Sequence, residues 1–527
     1  MKTRTLAGAF LLILLFHLAG TAQDIQWADQ YGNGVATASV GLKTDATGVY
    51  TAGRVFSAGK YDAYLRKYDF AGNALWTRQL GIPAFDFADG VATDSTGVYL
   101  LGDTPGVLPG QTSAGSSDAF VRKYGSNGNV LWTQQFGTAG IELPMGIASH
   151  STGVYVAGET TGTFPGAVAG NGKDIFIARM DAQAGQLLWV RQFGIRAPDL
   201  LGIGGVAVDD TGVYAAGIAR AGLARAALLR KFDFSGNLVW ARELDGTQGC
   251  SATIWGLATH DNSELYVVGQ WTDSFFNDPV NCPAGGSEVV GVVLKYDSLG
   301  NLLWRRRLKG AGEGNSAFTG AKVISASASG VYVGANLTTS FPGQVVNAPR
   351  SDRSECKGLT PGNNFYDKLD AYVRRYDFDG NVIWTHQFGS NVFDLVSGID
   401  ANATGVYAAA DTSCEIVSSE TFSGGDGDAS VLRFSIDPTS PSGQIQFIVG
   451  RLETLNDAGR FNAGEFNSLV KQLEAALLAI NQGNNVAARQ ELQTFTGTVI
   501  LLGNRGVLTT AEANALIALA NAVSGNL

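Results

Sequence analysis

The side chains best suited to chemistry in this chain are aromatic rings and arginines in segments whose length varies between short apolar stretches. Aromatic rings stack on flat apolar surfaces, and the arginine guanidinium binds carboxylates through paired hydrogen bonds. On loops, such side chains favour recognition of a glycan or a protein, although packing beneath the longer loops is an alternative role. The candidate ligand-binding residues are Arg54, Phe164, Trp271, Phe275, Phe341, Arg353 and Tyr366.

Residues that could support catalysis or metal binding are few and scattered. Beyond His17 near the N-terminus, the histidines are His150, His260 and His386, which fall at different places within a repeating pattern. This distribution does not predict a three-histidine metal site. The sequence has no Gly-x-Ser-x-Gly nucleophile elbow and no phosphate-binding loop. We therefore expect a protein without catalytic residues, metal or cofactor.

A repeated pattern of strands must position these residues. Each copy has a strand carrying Thr-Gly-Val-Tyr or a variant, a strand of the type Asp-Ala-Tyr-Leu-Arg-Lys-Tyr, a Gly-Asn turn and a strand bearing tryptophan. A repeat of roughly 50–60 residues made of short strands is typical of radial arrays, and four antiparallel strands make one propeller blade. The tryptophans, which we expect to fill the gaps between blades, are Trp27, Trp76, Trp132, Trp189, Trp240, Trp304 and Trp384.

The ends of the repeat predict how the ring closes. Trp27 belongs to an outer strand without preceding strands, and the last copy, near residues 428–434, lacks a tryptophan strand. We expect the N-terminal strand to complete the last blade of a seven-bladed, all-β propeller, which removes both sheet edges. Small residues suit the crowded innermost strands. They are Gly41, Gly90, Gly146, Gly205, Gly256 and Gly398, with Val323 as the exception.

All length variation falls on one face of the predicted propeller, which we call the long-loop face. It carries the loops between second and third strands and the connections between blades. The four cysteines, Cys250, Cys282, Cys356 and Cys414, also fall there, and none forms a Cys-x-x-Cys pair. An even number in an exported chain favours disulfides. We predict Cys250–Cys282 and Cys356–Cys414, with Cys282–Cys356 as an open alternative.

The N-terminal residues have the pattern of a secretory signal peptide, predicted at residues 1–22. Lys2 and Arg4 precede an apolar run over residues 6–18, and Ala22 ends a small-residue cleavage site. The run is too short for a membrane span, and no second long one follows. The chain has 37 basic and 47 acidic residues and a net charge of −10. Without basic clusters, this charge argues against nucleic acid or an anionic membrane as partner, and we expect an exported protein, periplasmic or extracellular.

The repeat resembles the bacterial beta-propeller repeat known as SBBP. The match rests on Thr163-Phe164-Pro165-Gly166, Ser340-Phe341-Pro342-Gly343, the strand at residues 118–123 and the turn and strand at residues 300–304, and it covers about residues 25–434. The resemblance implies the fold and an exported or surface module. Because it implies no reaction, it supplies no catalytic residue.

Composition changes at a predicted linker over residues 435–443, and apolar residues then recur at helical spacing. Four helices over residues 444–527 would make a small bundle, with start signals at Asn462 and Thr509. The tail is similar to the FIMAH-type C-terminal domain of bacterial secreted proteins in residues 461–469, 487–495 and 506–513. That resemblance implies attachment or assembly rather than chemistry.

One further motif supports a different class of function. Asp69-Phe70-Ala71-Gly72-Asn73-Ala74-Leu75-Trp76 resembles the tryptophan-docking motif of quinoprotein dehydrogenases, which are usually eight-bladed and carry an adjacent cysteine pair. We therefore weigh two functions. The first is a secreted, non-enzymatic binding protein for a glycan or protein. The alternative is an exported propeller enzyme, a quinoprotein-like dehydrogenase or polysaccharide hydrolase or lyase, for which carboxylates and a base should converge at the channel mouth.

Overall fold

Short antiparallel strands joined by tight turns dominate the computed structural model. It describes residues 25–32, 36–168, 172–193, 203–221, 224–244, 252–272, 289–308, 319–337, 370–388, 394–412, 428–435 and 440–527. The predicted signal peptide, the four cysteines and the candidate ligand residues Phe275, Phe341, Arg353 and Tyr366 lie outside these residues. Within them, seven sheets of four strands each are arranged as a closed ring. The predicted seven-bladed propeller is therefore confirmed.

The blades are numbered along the chain, and each begins at the inner strand beside the central axis. Blade 1 contains β2 (Thr37–Asp45), β3 (Gly48–Ser57), β4 (Lys60–Tyr68) and β5 (Ala74–Leu80). Blade 2 contains β6 (Phe87–Asp94), β7 (Gly97–Thr104), β8 (Asp118–Tyr124) and β9 (Val130–Phe136). Blade 3 contains β10 (Glu142–His150), β11 (Gly153–Thr160), β12 (Asp174–Met180) and β13 (Leu187–Phe193). Blade 4 contains β14 (Ile203–Asp209), β15 (Gly212–Ala221), β16 (Ala224–Phe232) and β17 (Leu238–Leu244). Blade 5 contains β18 (Ala252–His260), β19 (Glu264–Thr272), β20 (Val289–Asp297) and β21 (Leu302–Leu308). Blade 6 contains β22 (Thr319–Ser327), β23 (Gly330–Leu337), β24 (Asp370–Tyr376) and β25 (Val382–Phe388).

The ring closes through the N-terminal strand, as predicted. Blade 7 contains β26 (Asp394–Asn402), β27 (Gly405–Thr412) and β28 (Asp428–Phe434), and β1 (Ile25–Tyr31) supplies its outer strand. β1 runs antiparallel to β28, with Ala28 opposite Leu432 and Trp27 opposite Arg433. The first strand thereby pairs the edge that β28 would otherwise expose.

The recurrent Asp and Thr-Gly-Val-Tyr residues form the turn between the first two strands of a blade. In blade 1, the Asp45 carboxylate accepts hydrogen bonds from the Thr47 N–H at 2.6 Å and the Tyr50 hydroxyl at 3.0 Å. An aspartate that binds the backbone two residues later stabilises a tight turn. Asp94 and Asp209 make the same contacts in blades 2 and 4. His150, which stands at the equivalent position of blade 3, contacts Thr152 at 2.9 Å.

The repeated tryptophans join neighbouring blades. Trp76 of blade 1 donates its indole N–H to the Ser126 carbonyl of blade 2 at 3.0 Å, and Trp240 of blade 4 reaches Ser298 of blade 5 at the same distance. Each acceptor lies in the turn between the third and outer strands of the next blade. Hydrophobic clusters fill the spaces between blades, for example Tyr214 with Leu265 and Val292 at the boundary of blades 4 and 5. The core of the propeller therefore lies between the sheets.

Four helices follow the propeller, as predicted. They are α1 (Pro441–Asp457), α2 (Ala463–Asn481), α3 (Asn485–Asn504) and α4 (Thr510–Asn526). Asn462 with Glu465, and Thr509 with Glu512, form reciprocal capping boxes at α2 and α4. Leucines at helical spacing, such as Leu469, join the shared core of the bundle. No helix within the described ranges is long and apolar enough to cross a membrane.

The bundle packs against the propeller through α1, which lies along the outer strand of blade 6. The two backbones come close because Gly450 has no side chain; a Cβ there would be 2.8 Å from the Val382 carbonyl oxygen. Arg374 of blade 6 pairs with Glu453 of α1 at 3.0 Å, and both side chains are largely buried. Trp384 of the same outer strand is fully buried.

Candidate functional site

The inner strands surround a central channel with a cavity of about 370 Å³. The small residues predicted for these strands line it and allow close approach of the blades. A Cβ at Gly398 would lie 2.8 Å from the carbonyl carbon of Gly41 in the neighbouring blade. The inner strands are therefore so close at the positions of these small residues that a larger side chain has no room between neighbouring blades.

Every inner strand carries one β-bulge at the same place, immediately before that small residue or its equivalent. The pairing register shifts by one residue there in all seven blades. A bulge re-aims a side chain, and such bulges often lie beside functional sites. The unpaired residues, which we call the bulge ring, are Val40, Asp89, Met145, Gly204, Trp255, Lys322 and Ser397. All of them except Gly204 line the cavity.

The chemistry of the bulge ring differs from blade to blade, although the flanking positions repeat. It contains an acid, a base, an indole, a thioether and a hydroxyl in a structure whose other parts recur sevenfold. Packing alone would favour one residue type at seven equivalent positions. The ring lies in the half of each inner strand next to the blade-to-blade connection, and therefore at the mouth on the long-loop face. This mouth is the candidate functional site.

A second set of side chains backs the bulge ring. These residues follow the repeated tyrosine of each second strand by four positions, and we call them the second-strand ring. Most of them are polar or charged. They are Arg54, Asp103, Glu159, Ile218, Gln270, Asn336 and Asp411.

Arg54, Asp89 and Asp103 form the most charged part of the mouth. Arg54 pairs with Asp89 of the next blade at 2.6 Å and donates to the Ala88 carbonyl at 3.0 Å. The Ser117 hydroxyl donates to Asp103 at 2.8 Å. Burial raises the pKa of both carboxyls, and in Asp89 the neighbouring Asp103 adds to the effect. The two carboxyls are close enough for each to affect the pKa of the other.

Asp411 lies in the adjacent part of the mouth, where blade 7 meets blade 1. It accepts hydrogen bonds from the N–H and hydroxyl of Ser39 at 2.6 and 2.9 Å. The Ser39 hydroxyl also contacts the Ser397 hydroxyl at 2.5 Å. Burial raises the pKa of Asp411 to about 7, against the opposing effects of these hydrogen bonds and of the Lys322 and Arg54 charges. Burial also lowers the pKa of Lys322.

The raised pKa of Asp411 predicts that stability depends on pH. The folded protein holds this proton more tightly than the unfolded chain, in which the pKa is about 3.9. The stabilisation is therefore complete below about pH 4 and is lost as pH rises through about 7. We expect Asp411→Asn to have a higher melting temperature than wild type at pH 8. Between pH 4 and 7, the melting temperature of the variant should fall less than that of wild type. Thermal unfolding followed by circular dichroism across this range measures both, and identical pH profiles would contradict the assignment.

Trp255 and Met145 give the mouth its apolar surface. Trp255 is 37 % exposed although it lies on an inner strand. Its indole N–H lies 3.4 Å from the Gln270 side-chain oxygen, which orients the ring. Met145 is also exposed and lies on the inner strand of blade 3. An exposed ring beside an amide, in a mouth that also carries carboxyl and ammonium groups, can bind a polar molecule that has one flat apolar face.

The residues predicted from the sequence as ligand contacts have different positions. Arg54 belongs to the second-strand ring. Phe164 is buried between blades, 5.4 Å from the Phe176 ring, and its N–H donates to Gln192 at 2.8 Å. Trp271 is buried among strands of blades 4 and 5. Phe164 and Trp271 are therefore packing residues, contrary to the expectation that they contact a ligand.

The sequence-based reasoning missed most of the mouth, including Asp89, Met145, Trp255 and Lys322. The available signal was a position that varies from copy to copy directly before the repeated small residue. Within the described ranges, no three His, Cys, Asp or Glu side chains are grouped so that they could hold a metal ion.

Comparisons with known proteins identify no family for the chain. No protein-family model matches it, and no curated protein matches its sequence. Among solved structures, it is similar to the polysaccharide lyase Uly1 (11 % identity, TM-score 0.40, 77 % of this chain and 92 % of that one). It is also similar to glutaminyl cyclase from Myxococcus xanthus (13 %, 0.24, 54 % and 97 %) and a mutant apocarotenoid oxygenase from Synechocystis (8 %, 0.36, 64 % and 70 %). These identities and TM-scores carry no argument about function.

Proposed function

We propose that this protein is an exported, non-enzymatic recognition protein that binds a glycan at the long-loop mouth of its propeller channel. The observation that supports this function is the bulge ring, where six of seven equivalent positions carry unlike side chains that line one cavity. Export is inferred from the N-terminal sequence alone.

The side chains of the mouth suit a carbohydrate. Trp255 offers an exposed indole on which the apolar face of a sugar ring can stack. Gln270 places an amide beside it, and Asp89 places a carboxyl on the other side of the channel. Such groups form hydrogen bonds with hydroxyls. A cavity of about 370 Å³ has room for the end of a chain rather than for its whole length.

One observation favours the enzyme alternative, because acidic side chains do converge at the mouth. Burial raises the pKa of Asp89 and of Asp103, and a carboxyl that keeps its proton can act as a general acid. Their close approach is nevertheless unsuited to glycoside hydrolysis, in which the two carboxyls stand about 5–9 Å apart on either side of the bond. Binding therefore accounts better for this geometry.

Removal of the Trp255 ring tests the proposal. We expect Trp255→Ala to weaken glycan binding by about 30-fold, which corresponds to ~2 kcal/mol, because the stacking surface is lost. Leu75→Ala is the control, since Leu75 is an exposed apolar residue on the outer strand of blade 1, away from the channel. Glycan arrays would find the ligand, and calorimetry on both variants would compare the affinities. Equal affinities in wild type and Trp255→Ala would reject the mouth as the site.

Incubation of the bound glycan with wild-type protein separates binding from catalysis. We expect mass spectrometry to return the glycan at its original mass after prolonged incubation. If shortened or unsaturated products accumulate, and Asp89→Asn and Asp103→Asn stop their formation, the protein is an enzyme at the same mouth.

A further inference from the structure

The contact between α1 and blade 6 shows what an outer blade edge of this propeller can bind. Three features make the contact: an apolar strand start at Val382, an arginine that meets an acid of the helix, and a glycine that lets the helix approach. The Thr385 hydroxyl orients the Arg374 side chain, because it accepts a hydrogen bond from the Arg374 Nε at 2.8 Å. The helix places Glu453 on that guanidinium, and the Val382 N–H lies 3.4 Å from the Thr454 hydroxyl.

Blade 2 repeats this docking edge almost residue for residue. Its outer strand reads Val-Leu-Trp-Thr-Gln-Gln-Phe, against Val-Ile-Trp-Thr-His-Gln-Phe in blade 6. Arg122 donates its Nε to the Thr133 hydroxyl at 2.8 Å, the same contact at the same distance as in blade 6. Among the described residues, however, no helix covers this edge: Val130 is 50 % exposed, whereas Val382 is 6 % exposed.

The other complete blades lack one or more of these features. Blade 3 has Ala178 and Val190 at the arginine and threonine positions, and blade 5 has Leu294 and Arg305. Blade 4 keeps the arginine but has Ala241 in place of the threonine. In blade 1, the arginine already pairs with an acid of the closing strand, since Arg66 lies 3.3 Å from Asp29.

We propose that the outer edge of blade 2 is a docking site for an α-helix of a partner protein. The partner helix carries a small residue followed three positions later by glutamate, as in Gly450 and Glu453 of α1. The small residue permits contact with the strand at Val130, and the glutamate pairs with Arg122. Within the described part of the chain, Arg122 has no carboxylate partner, so its charge is available. A second copy of this chain does not supply the helix, because its own α1 is buried between its bundle and blade 6.

A synthetic, fluorescently labelled peptide of residues 440–457 is the probe. Ile445→Gln and Leu452→Gln in the peptide replace apolar residues that face the bundle, and they leave the propeller-facing side unchanged. The full chain is titrated into it, up to roughly 1 mM, and fluorescence polarisation reports binding. The intact protein keeps its own α1 on blade 6, and the short connection gives that helix a high local concentration. Binding of the labelled peptide therefore reports on a site other than blade 6.

We expect saturable binding that Arg122→Ala and Leu131→Glu each weaken at least about tenfold. Leu188→Glu, on the equivalent exposed position of blade 3, is the control and should leave the affinity unchanged. Replacing Glu453 by glutamine in the peptide should weaken binding to wild type but not to Arg122→Ala, as a coupled pair requires. Circular dichroism melts confirm that the variants fold. Absence of binding, or equal affinity in wild type, Arg122→Ala and Leu131→Glu, would overturn the proposal.

Discussion

Gly398→Ala is expected to destabilise the propeller by about 2–3 kcal/mol, as forced overpacking does. The added Cβ would lie 2.8 Å from the Gly41 carbonyl carbon and 2.9 Å from the Leu42 Cβ, and closer still to the Leu42 nitrogen. These are mostly backbone atoms of blade 1, and they cannot move aside without displacing the whole inner strand. Urea denaturation followed by tryptophan fluorescence gives the free energy of unfolding.

Gly41→Ala is the control for this substitution, because Gly41 occupies the equivalent position of blade 1. Its added Cβ would meet a side chain first, the Val91 Cγ1 at 3.3 Å. That methyl group can shift by rotation, so we expect a loss of less than about 1 kcal/mol. Similar losses for both variants would mean that channel width, and not backbone contact at the closure of the ring, limits side-chain size.

Arg374→Ala is expected to lower stability by about 3 kcal/mol and to uncouple the bundle from the propeller. The Glu453 side chain is only 12 % exposed, and the substitution removes the guanidinium that pairs with it. Breaking a buried ion pair in this way costs about 3–5 kcal/mol. Calorimetry should show the bundle and the propeller unfolding in separate transitions, and limited proteolysis should cut between them. An unchanged single transition would contradict this account.

Two further variants isolate the ion pair. Arg122→Ala removes the equivalent arginine of blade 2, which has the same threonine contact but lies beside an exposed strand start at Val130. This substitution should cost less than about 1 kcal/mol. Arg374→Met combined with Glu453→Gln leaves no buried charge and should recover most of the loss. If the double variant is as unstable as Arg374→Ala, packing and not charge explains the effect.

The sequence predicts the architecture well because the repeat is local and its ends are informative. Trp27 without preceding strands predicted the closing strand, and its pairing opposite Arg433 follows from that reasoning. The start signals at Asn462 and Thr509 predicted two helix starts because a capping side chain acts within three residues of its own position. Local interactions of this kind can be seen in a single sequence.

The site is less predictable because it depends on one-residue shifts and tertiary contacts. A bulge reverses the side of a strand that a residue faces, so regular alternation does not indicate where Asp89 or Trp255 lies. The strand starts at Val130 and Val382 look alike in sequence, yet one is exposed and the other covered, since only the packing of α1 distinguishes them. The sequence predicted Phe164 to be a ligand-binding aromatic residue on a loop, whereas its ring fills the space between two blades.

Closure by the N-terminal strand also sets the order of events during biosynthesis. Gln30 and its partner Asp428 are 398 residues apart in the chain, so the final blade cannot form until nearly all of the propeller has been made. The earliest strand must stay unpaired until then, and a contact between such distant residues is slow to form. A truncated chain that stops before β28 would retain an open ring and an unpaired, aggregation-prone edge.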